Sequence, residues 1–336
     1  MGVLRSVALL AVSALLSVCL AEGVLRLVAP QPASWLDIYR RHPTLPFPAL
    51  LPDVERHVDT GELDWTILTD SEGMRVGSES APRDLPVALA LGDSFTFGQG
   101  VDYEDTFVAR LERDPGALRW RNAGHGGYGP AQYRQVLEYL LEQGLDPEVL
   151  LVGLYLGNDY HDCVWDKDLP VAGGVAGSEP GLRGRLKRTL HLYRLLARVY
   201  HRLGIAPVSH AGQELYEERA WTRPPLAEAE SIFRAELERI ASIATAESIP
   251  LIAVVIPTRL TVDALAGRVS GVAGEFPVER TGETLDALGI RWVDSTPALL
   301  PIEEAYFLHD GHLTPAGHEA VAARLAPEIA ALVPGR

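Results

Sequence analysis

Cysteine and lysine are scarce in this chain of 336 residues, which contains two of each. The cysteines, Cys19 and Cys163, are too few for a disulfide framework, and alone they cannot form a zinc site. Basic charge is carried almost entirely by arginine, and acidic residues outnumber basic ones to give a formal net charge of -15. Binding to a phosphate backbone requires a basic surface, so this composition argues against a general nucleic-acid function.

Two common site signatures are also missing. The glycine-rich stretch GHGGYG is not followed by Gly-Lys-Ser/Thr, which excludes a P-loop. The Gly-x-Ser-x-Gly elbow of α/β-hydrolases does not occur. His309, His312 and His318 lie close together in sequence, but carboxylates and thiols at ligand spacing are lacking, so we predict no metal site.

The N-terminus, by contrast, has a long apolar run. Arg5 precedes an uncharged stretch over residues 6–21, which is slightly short for a spanning helix, and apolar character continues to Val28. A clean cleavage signal is missing, and Val18 stands where a lipobox needs a small residue. We therefore favour an uncleaved membrane anchor over residues 1–28, with the body outside the cytoplasm. The alternative is a cleaved signal that leaves a secreted or periplasmic protein.

Residues 29–84 are rich in proline and loop-forming residues. This stretch also carries large apolar side chains that favour burial, among them Trp35, Trp65 and Ile67. We therefore predict a juxtamembrane segment that packs on the body rather than a free linker. Within it, DWTILTDSEGMR is typical of a short strand and a turn.

From residue 85 to residue 336 the pattern alternates between strands and helices, which predicts an α/β sandwich around a parallel sheet. The expected strands are PVALALGDS, LRWRNAG, PEVLLVGLYLGND, IPLIAVVIP and GIRWVDS. Thr314 followed by Pro315 predicts the start of the last helix. In such sheets, functional residues collect at the carboxyl ends of the strands.

An insertion at about residues 163–225 interrupts this alternation. It contains the stretch LRGRLKRTLHLYRLLARVYHRLG, which predicts a basic amphipathic helix in an acidic protein. The interpretation we favour is a surface helix that packs four apolar side chains on the body: Leu192, Leu195, Leu196 and Val199. The alternative is a lid that also touches anionic lipid headgroups near the anchor.

A Gly-Asp-Ser sequence ends the first strand of the α/β region, at Ser94. A serine hydroxyl becomes a nucleophile only when a base takes its proton, and the reaction needs donors where the oxyanion forms. Asp310 and His312 offer an acid and a base, the amide of Asn158 offers a donor, and NAGHGGYGP offers backbone N–H groups. The structural alternative is that Ser94 only caps a helix.

Four stretches, GDSFTFG, NAGHGGYG, YLGND and DGHLTPAGH, follow one another in the chain, each at a predicted strand end. They resemble the four sequence blocks of SGNH hydrolases, also called GDSL esterases and lipases. The resemblance covers about residues 86–334, and the apolar N-terminus followed by TDSEGMR resembles the membrane-tethered bacterial members. It implies a three-layer α/β/α sandwich with a central, mostly parallel five-stranded sheet, and acyl transfer that needs neither a metal nor an organic cofactor.

The resemblance also implies roles for single residues. Ser94 would be the nucleophile, and its own N–H would be one oxyanion donor. Gly127 would give a second N–H, and Asn158 would donate through its side chain. His312 would be the base, oriented by Asp310. The other polar residues near these blocks are predicted to be structural or to shape the rim of the site: His125, Asp159 and His318.

Two positions depart from the family pattern. The common Asp-x-x-His spacing would put the acid at residue 309, which is a histidine, whereas this chain has Asp-x-His. Some relatives, including alginate O-acetyltransferase-like proteins, resemble this chain in that spacing. The third block usually reads Gly-x-Asn-Asp, but here Leu156 and Gly157 precede Asn158, which should alter the loop backbone and keep the amide.

Three functions remain open at this point. The first is a serine-dependent ester hydrolase (a carboxylesterase, a lipase-like enzyme or a carbohydrate deacetylase) that acts on a small-molecule, glycan or lipid ester. The second is an O-acetyltransferase that modifies a cell-envelope polysaccharide with the same triad. The third is a non-catalytic envelope-binding protein on this fold. We favour the first. The intact set of serine, glycine, asparagine and histidine argues against the third, while the sequence does not separate water from a sugar hydroxyl as the final acceptor.

Overall fold

The computed structural model describes residues 2–33, 36–78, 84–113, 118–163, 168–177, 181–205, 225–269 and 277–333. Parts of the predicted insertion, at residues 164–167, 178–180 and 206–224, lie outside these described residues, and so does Trp35.

An eight-stranded sheet forms the centre of the molecule, in the order β12-β11-β8-β6-β7-β5-β4-β3. Its strands are β3 (Glu55–Asp59), β4 (Asp64–Thr69), β5 (Arg75–Val76), β6 (Val87–Leu91), β7 (Arg119–Asn122), β8 (Val149–Tyr155), β11 (Leu251–Ile256) and β12 (Arg291–Asp294). Two small antiparallel pairs lie outside it, β1 (Tyr39–Arg41) with β2 (Pro48–Leu50) and β9 (Val171–Ala172) with β10 (Val175–Ala176).

The five strands from β12 to β7 are parallel, which confirms the predicted fold class. The other three, β5, β4 and β3, are antiparallel and extend the sheet beyond β7. They come from the juxtamembrane segment, where the sequence predicted only a short strand and a turn. Val58 and Trp65 of these strands form a separate apolar cluster with Phe97, which follows β6.

Helices cover both faces of the sheet, and others lie away from it. The helices of the described residues are α1 (Gly2–Val28), α2 (Ser94–Phe97), α3 (Phe107–Glu112), α4 (Pro130–Glu142), α5 (Asp159–Asp162), α6 (Leu182–Thr189), α7 (His191–Arg202), α8 (Pro225–Ala246), α9 (Arg259–Leu265), α10 (Pro277–Ala287), α11 (Thr296–Leu299) and α12 (Pro315–Leu332). A 3₁₀ turn, Tyr103–Asp105, precedes α3. As predicted, the hydroxyl of Thr314 caps α12 by accepting from Gly317 N–H.

The two cores are separated by the alternation of side chains along the central strands. In β6, Ala88 and Ala90 face a core with α3, α9 and α12, whereas Leu89 and Leu91 face a core with α4, α8 and α10. Strand β8 is buried along its whole length, as expected for a parallel strand covered on both faces. This three-layer arrangement fixes the carboxyl ends of β6, β7 and β8 next to one another.

Helix α1 is long and apolar enough to cross a membrane by length and composition, and most of its surface is exposed. Its last turns contact α7. Membrane anchors and signal sequences share these properties, so the helix is compatible with both interpretations in the sequence analysis.

The predicted single basic helix of the insertion is two helices, because the chain becomes extended at Leu190. The carboxylate of Glu22, on α1, accepts hydrogen bonds from the backbone N–H groups of His191 and Leu192 at 2.9 and 2.8 Å. It therefore satisfies the free N–H groups at the start of α7, where Leu190 provides no side-chain cap.

The favoured interpretation of this helix is correct for two of its four apolar side chains. Leu192 and Leu195 are half-buried, but Leu196 and Val199 are 59% and 43% exposed. Arginines also make inward contacts: Arg198 and Arg202 donate to Asp59 Oδ2 at 2.7 and 3.0 Å. A nearly buried carboxylate and free backbone carbonyls on the body attract the guanidinium groups to that side.

Candidate active site

The first site residue lies where β6 ends. Asp93 is the N-cap of α2, with its side chain accepting from Phe95 N–H at 2.8 Å, so Ser94 is the first helical residue and not the cap. The helix is only four residues long and ends at Gly98, which has φ +77°. This tight turn presents the hydroxyl of Ser94 at the carboxyl edge of the sheet.

Arg75 fixes the turn that follows the serine. Its buried guanidinium donates to the carbonyl oxygens of Phe97, Gly98 and Val101 at 2.5 to 2.7 Å. Burial lowers the pKa of Arg75 to about 9, although nearby acidic and phenolic groups oppose that change. The side chain also stacks over the ring of Trp65. Sequence reasoning gave Arg75 no role, because its carbonyl partners are not visible in the sequence.

Ser94, His312 and Asp310 form one hydrogen-bonded chain. The Nε2 of His312 lies 2.7 Å from Ser94 Oγ, and its Nδ1 lies 2.5 Å from Asp310 Oδ1. The serine and the histidine are 218 residues apart in sequence, and both side chains are mostly buried. The imidazole also contacts the ring of Phe95, with 4.7 Å between centroids. The structure therefore brings together the three predicted triad residues, including the acid of the shorter Asp-x-His spacing.

The carboxylate of Asp310 stays in its charged form. Burial raises its pKa, but the hydrogen bond and the charge of His312 outweigh burial, so the pKa falls below the usual value. Gln99 contributes to the same effect: its Nε2 lies 3.5 Å from Asp310 Oδ2. Gln99 directly follows the block that begins at Gly92, and sequence reasoning assigned it no role.

The loop of Asp310 is held from the juxtamembrane segment. Glu62, in the turn between β3 and β4, accepts from His309 N–H at 2.8 Å and from Asp310 N–H at 2.9 Å. One carboxylate thus binds two consecutive backbone N–H groups next to the acid of the triad. Glu62 is a positioning residue, because it acts on the reaction only through Asp310.

Replacing Glu62 with alanine should lower kcat by about tenfold with little change in KM. Hydrogen bonds to a charged group contribute about 1.5–3 kcal/mol, and about 1.4 kcal/mol of lost positioning corresponds to a tenfold rate loss. Glu62→Gln keeps one acceptor oxygen and should recover part of the rate. Glu55→Ala, at an exposed position of the same hairpin, is the matched control. Steady-state kinetics of all three variants on a short-chain ester would decide, and equal kcat for E62A and E55A contradicts the role.

The loop after β7 is tied to the nucleophile turn. The side chain of Asn122 donates to Thr96 O at 2.8 Å and accepts from Gly124 N–H at 2.9 Å. A Cβ at Gly124 would stand 2.4 Å from Phe97 N, so only glycine permits this approach. Sequence analysis quoted this block for its glycines and missed the bridging amide of Asn122.

The predicted oxyanion donor Gly127 follows in the same loop. A Cβ built on Gly126 would stand 3.9 Å from Cβ of Ser94, which places the Gly126–Gly127 peptide beside the serine. Gly127 itself has φ +80°, a conformation that glycine adopts without strain. The peptide that carries the N–H of Gly127 therefore lies near Ser94, on a backbone that other residues would disfavour.

Asn158, the other predicted donor, follows β8 and begins α5. Its side chain lies against Asp93. Burial raises the pKa of Asp93 to about 6, while Phe95 N–H, His312 and Asn158 lower it in part. Asp159 supports this loop, since its carboxylate accepts from Tyr133 OH at 2.7 Å and from Tyr155 N–H at 3.0 Å.

The remaining predicted polar residues are buried. His125 stacks on Tyr128 with 3.9 Å between centroids, and burial lowers its pKa to about 3. His318 accepts from Phe107 N–H at 3.2 Å, and burial likewise lowers its pKa to about 3. Neither imidazole is suited to take a proton near neutral pH. In the part of the chain that the structure describes, no three His, Cys, Asp or Glu side chains gather as a metal site requires.

A cavity of about 540 Å³ lies beside this region, between the juxtamembrane segment and the loop after β7. Its lining includes Arg40, Met74 and His125. Neither Ser94 nor His312 is among the described residues that line it. The hydrogen-bonded chain of Ser94, His312 and Asp310 therefore lies outside the lining of this cavity.

Comparison with known proteins agrees with the fold. A family model described as the SGNH hydrolase-like domain of acetyltransferase AlgX matches residues 215–335, which include Asp310 and His312. The matched segment is about a third of the chain, and the mixed α/β fold with its central, mostly parallel sheet is the one expected for an SGNH hydrolase-like domain. No curated protein matches the chain.

Several solved structures are similar at low identity. A lipase from a goat rumen metagenome is 16% identical, with a TM-score of 0.44 over 72% of this chain and 96% of its own. A carbohydrate acetylesterase family member from Sinorhizobium meliloti is 17% identical, with a TM-score of 0.37 over 74% and 99%. A G-D-S-L family lipolytic protein from Veillonella parvula is 12% identical, with a TM-score of 0.40 over 72% and 96%.

Proposed function

We propose that this chain is a serine esterase that cleaves a carboxylic ester through an acyl-serine intermediate. The observation that carries the proposal is the position of His312, whose two ring nitrogens lie 2.7 Å from Ser94 Oγ and 2.5 Å from Asp310 Oδ1. This is the geometry in which an imidazole takes a proton from a serine while a carboxylate holds its other nitrogen. A small-molecule, glycan or lipid ester would be the substrate.

The first half-reaction acylates the serine. As Ser94 Oγ bonds to the ester carbonyl carbon, its proton passes to Nε2 of His312, and Asp310 stabilises the imidazolium that forms. The N–H groups of Ser94 and Gly127 and the amide of Asn158 would donate to the oxyanion. The imidazolium then gives its proton to the leaving alcohol as the carbon–oxygen bond breaks.

The second half-reaction releases the acid. Water loses a proton to His312 as it attacks the acyl carbon, and the bond to Ser94 Oγ breaks. The proton returns from His312 to the serine oxygen, which restores the resting enzyme. Each step uses only residues of this chain, the ester and water.

Asn158→Ala should lower kcat by about 10²–10³-fold, which is the usual cost of removing one oxyanion-hole donor. KM should change little, because the donor acts on the charge that develops in the transition state. Steady-state kinetics on a short-chain ester, with active-site titration to count folded sites, would measure the effect. Full kcat in a titratable N158A protein would exclude Asn158 as a donor.

Transfer of an acetyl group is the second candidate. The matched family is described as an acetyltransferase, and this observation supports transfer to the hydroxyl of a cell-envelope polysaccharide in place of water. The two reactions share the acyl-serine and differ only in the acceptor. Products formed from an acetyl donor with and without polysaccharide would separate them: acetylated polysaccharide supports transfer, and free acetate alone in both reactions supports hydrolysis.

A non-catalytic envelope-binding role would be supported if a fluorophosphonate failed to label Ser94.

The apolar helix α1 supports anchoring in a membrane, and we propose that it holds the catalytic domain on the outer side. Protease protection of the full chain in cells would test that topology, since cytoplasmic protection of the domain contradicts it.

A further inference from the structure

Helix α7 turns arginine side chains toward the body and an apolar stripe away from it. The arginines Arg194, Arg198 and Arg202 point inward, to carbonyl oxygens or to Asp59. The opposite face carries an apolar stripe at helical spacing, composed of Tyr193, Leu196, Val199 and Tyr200, and each of these side chains is exposed. An exposed apolar stripe of this kind marks a contact with a partner or a membrane.

The position of α7 identifies that partner. Glu22, at the end of the apolar run of α1, binds the first N–H groups of α7, and Arg26 donates to Thr189 O at 2.7 Å. Gln31 N–H donates to Nδ1 of His191 at 2.7 Å, which fixes the same junction from the other side. Helix α7 therefore begins where the apolar run of α1 ends, which is the level of the lipid headgroups if α1 crosses a bilayer.

Helix α6, which precedes Leu190, also carries exposed apolar side chains. Leu182 is 75% exposed, and Leu186 is 43% exposed. Arginine side chains accompany them, at Arg185 and Arg188. A helix pair with exposed leucine and tyrosine, near cationic side chains, has the composition of an interfacial segment.

We propose that α6 and α7 lie on the surface of the bilayer that α1 crosses, with the stripe Tyr193, Leu196, Val199 and Tyr200 seated among the lipid headgroups. This inference rests on membrane insertion of α1, and it is independent of whether the site hydrolyses or transfers esters. The C-terminal end of α7 also reaches the site: the rings of His201 and His309 are 5.8 Å apart. Docking of α7 would therefore hold the loop of Asp310 close to the lipid surface.

Fluorescence of single labels on the full chain tests this proposal. Native Cys19 reports on α1 in a Cys163→Ala variant, and both cysteines are replaced by alanine for the other two labels. Leu196→Cys places a label on the stripe, and Ser242→Cys places one at an exposed position of α8, a helix that packs on α4. Each protein carries an NBD label in nanodiscs of phosphatidylcholine and phosphatidylglycerol, with or without lipids that bear a doxyl quencher near the headgroup.

We expect the label at residue 196 to shift to shorter wavelength and to be quenched by the doxyl lipid, while the label at residue 242 stays water-like and unquenched. The proposal is overturned if the label at residue 196 has the same water-like, unquenched fluorescence as the label at residue 242 while the Cys19 label is quenched. A blue-shifted but unquenched label at 196 also overturns it, because another part of the protein or a second copy then covers the stripe. An unquenched Cys19 label would show that α1 is not inserted in the bilayer, and this result also overturns the proposal. Ester turnover of each sample reports separately on the proposed function.

Discussion

Ser94→Ala should reduce kcat for a short-chain ester by roughly 10⁵-fold or more. Removing the nucleophile eliminates the acyl-enzyme, and the oxyanion donors and substrate binding that remain give only residual catalysis. The hydroxyl of Ser94 does not cap α2, because Asp93 provides the N-cap. The variant should therefore fold normally and be inactive.

The matched control is Ser242→Ala, which removes an exposed serine hydroxyl from α8. Its turnover should equal that of the unmodified chain. Labelling with a fluorophosphonate adds a second measurement, since the intact protein and S242A should bind the probe at one site and S94A should not. Undiminished turnover by S94A would remove the basis of the esterase proposal.

Asp310→Asn should reduce kcat by about 10⁴-fold. An asparagine keeps the size of the side chain, but its amide can donate to Nδ1 of His312 and so favours the tautomer that cannot accept the serine proton at Nε2. It also removes the negative charge that stabilises the imidazolium. The expected loss exceeds that of an oxyanion donor, because the base itself becomes ineffective.

His309→Gln distinguishes this assignment from the more common family spacing. Residue 309 is where an Asp-x-x-His pattern would place the acid, but here its contact with the loop support is through its backbone N–H to Glu62. That bond survives the substitution, and glutamine keeps a polar side chain at this half-buried position. The lost ring contact with His201 lies outside the reacting atoms, so kcat should change by about threefold or less, which corresponds to ~0.5 kcal/mol. A larger loss in H309Q than in D310N would reverse the assignment of the acid.

The parallel half of the fold and the triad could be predicted because both depend on local sequence patterns. Continuous apolar runs such as β8 identify buried parallel strands, and the carboxyl ends of such strands converge at one edge. Residues at those ends are therefore neighbours, whatever their separation in the chain. The first three blocks mark these ends, whereas the fourth, predicted at a strand end as well, lies in the loop before α12. The structure places Ser94, Asp310 and His312 within hydrogen-bonding distance.

The supports of the site could not be predicted, because their partners are backbone groups. Glu62 and Arg75 bind N–H and carbonyl groups, which every residue carries and no sequence pattern identifies. The exposed face of α7 was not predicted either, for a related reason. Periodicity gives a helix two faces, but it does not show which face meets the body. Here Asp59 on the body binds arginine side chains of the helix.

The hairpin of β3 and β4 has a practical consequence for the boundaries of the enzyme. A fragment that began at residue 85 would contain every block of the family, yet it would leave one edge of β7 bare and the histidine loop without Glu62. Such an exposed edge invites pairing between copies. The smallest fragment worth expressing therefore starts upstream of β1, and the stretch that looks like a spacer completes the sheet and holds the loop of the candidate active site.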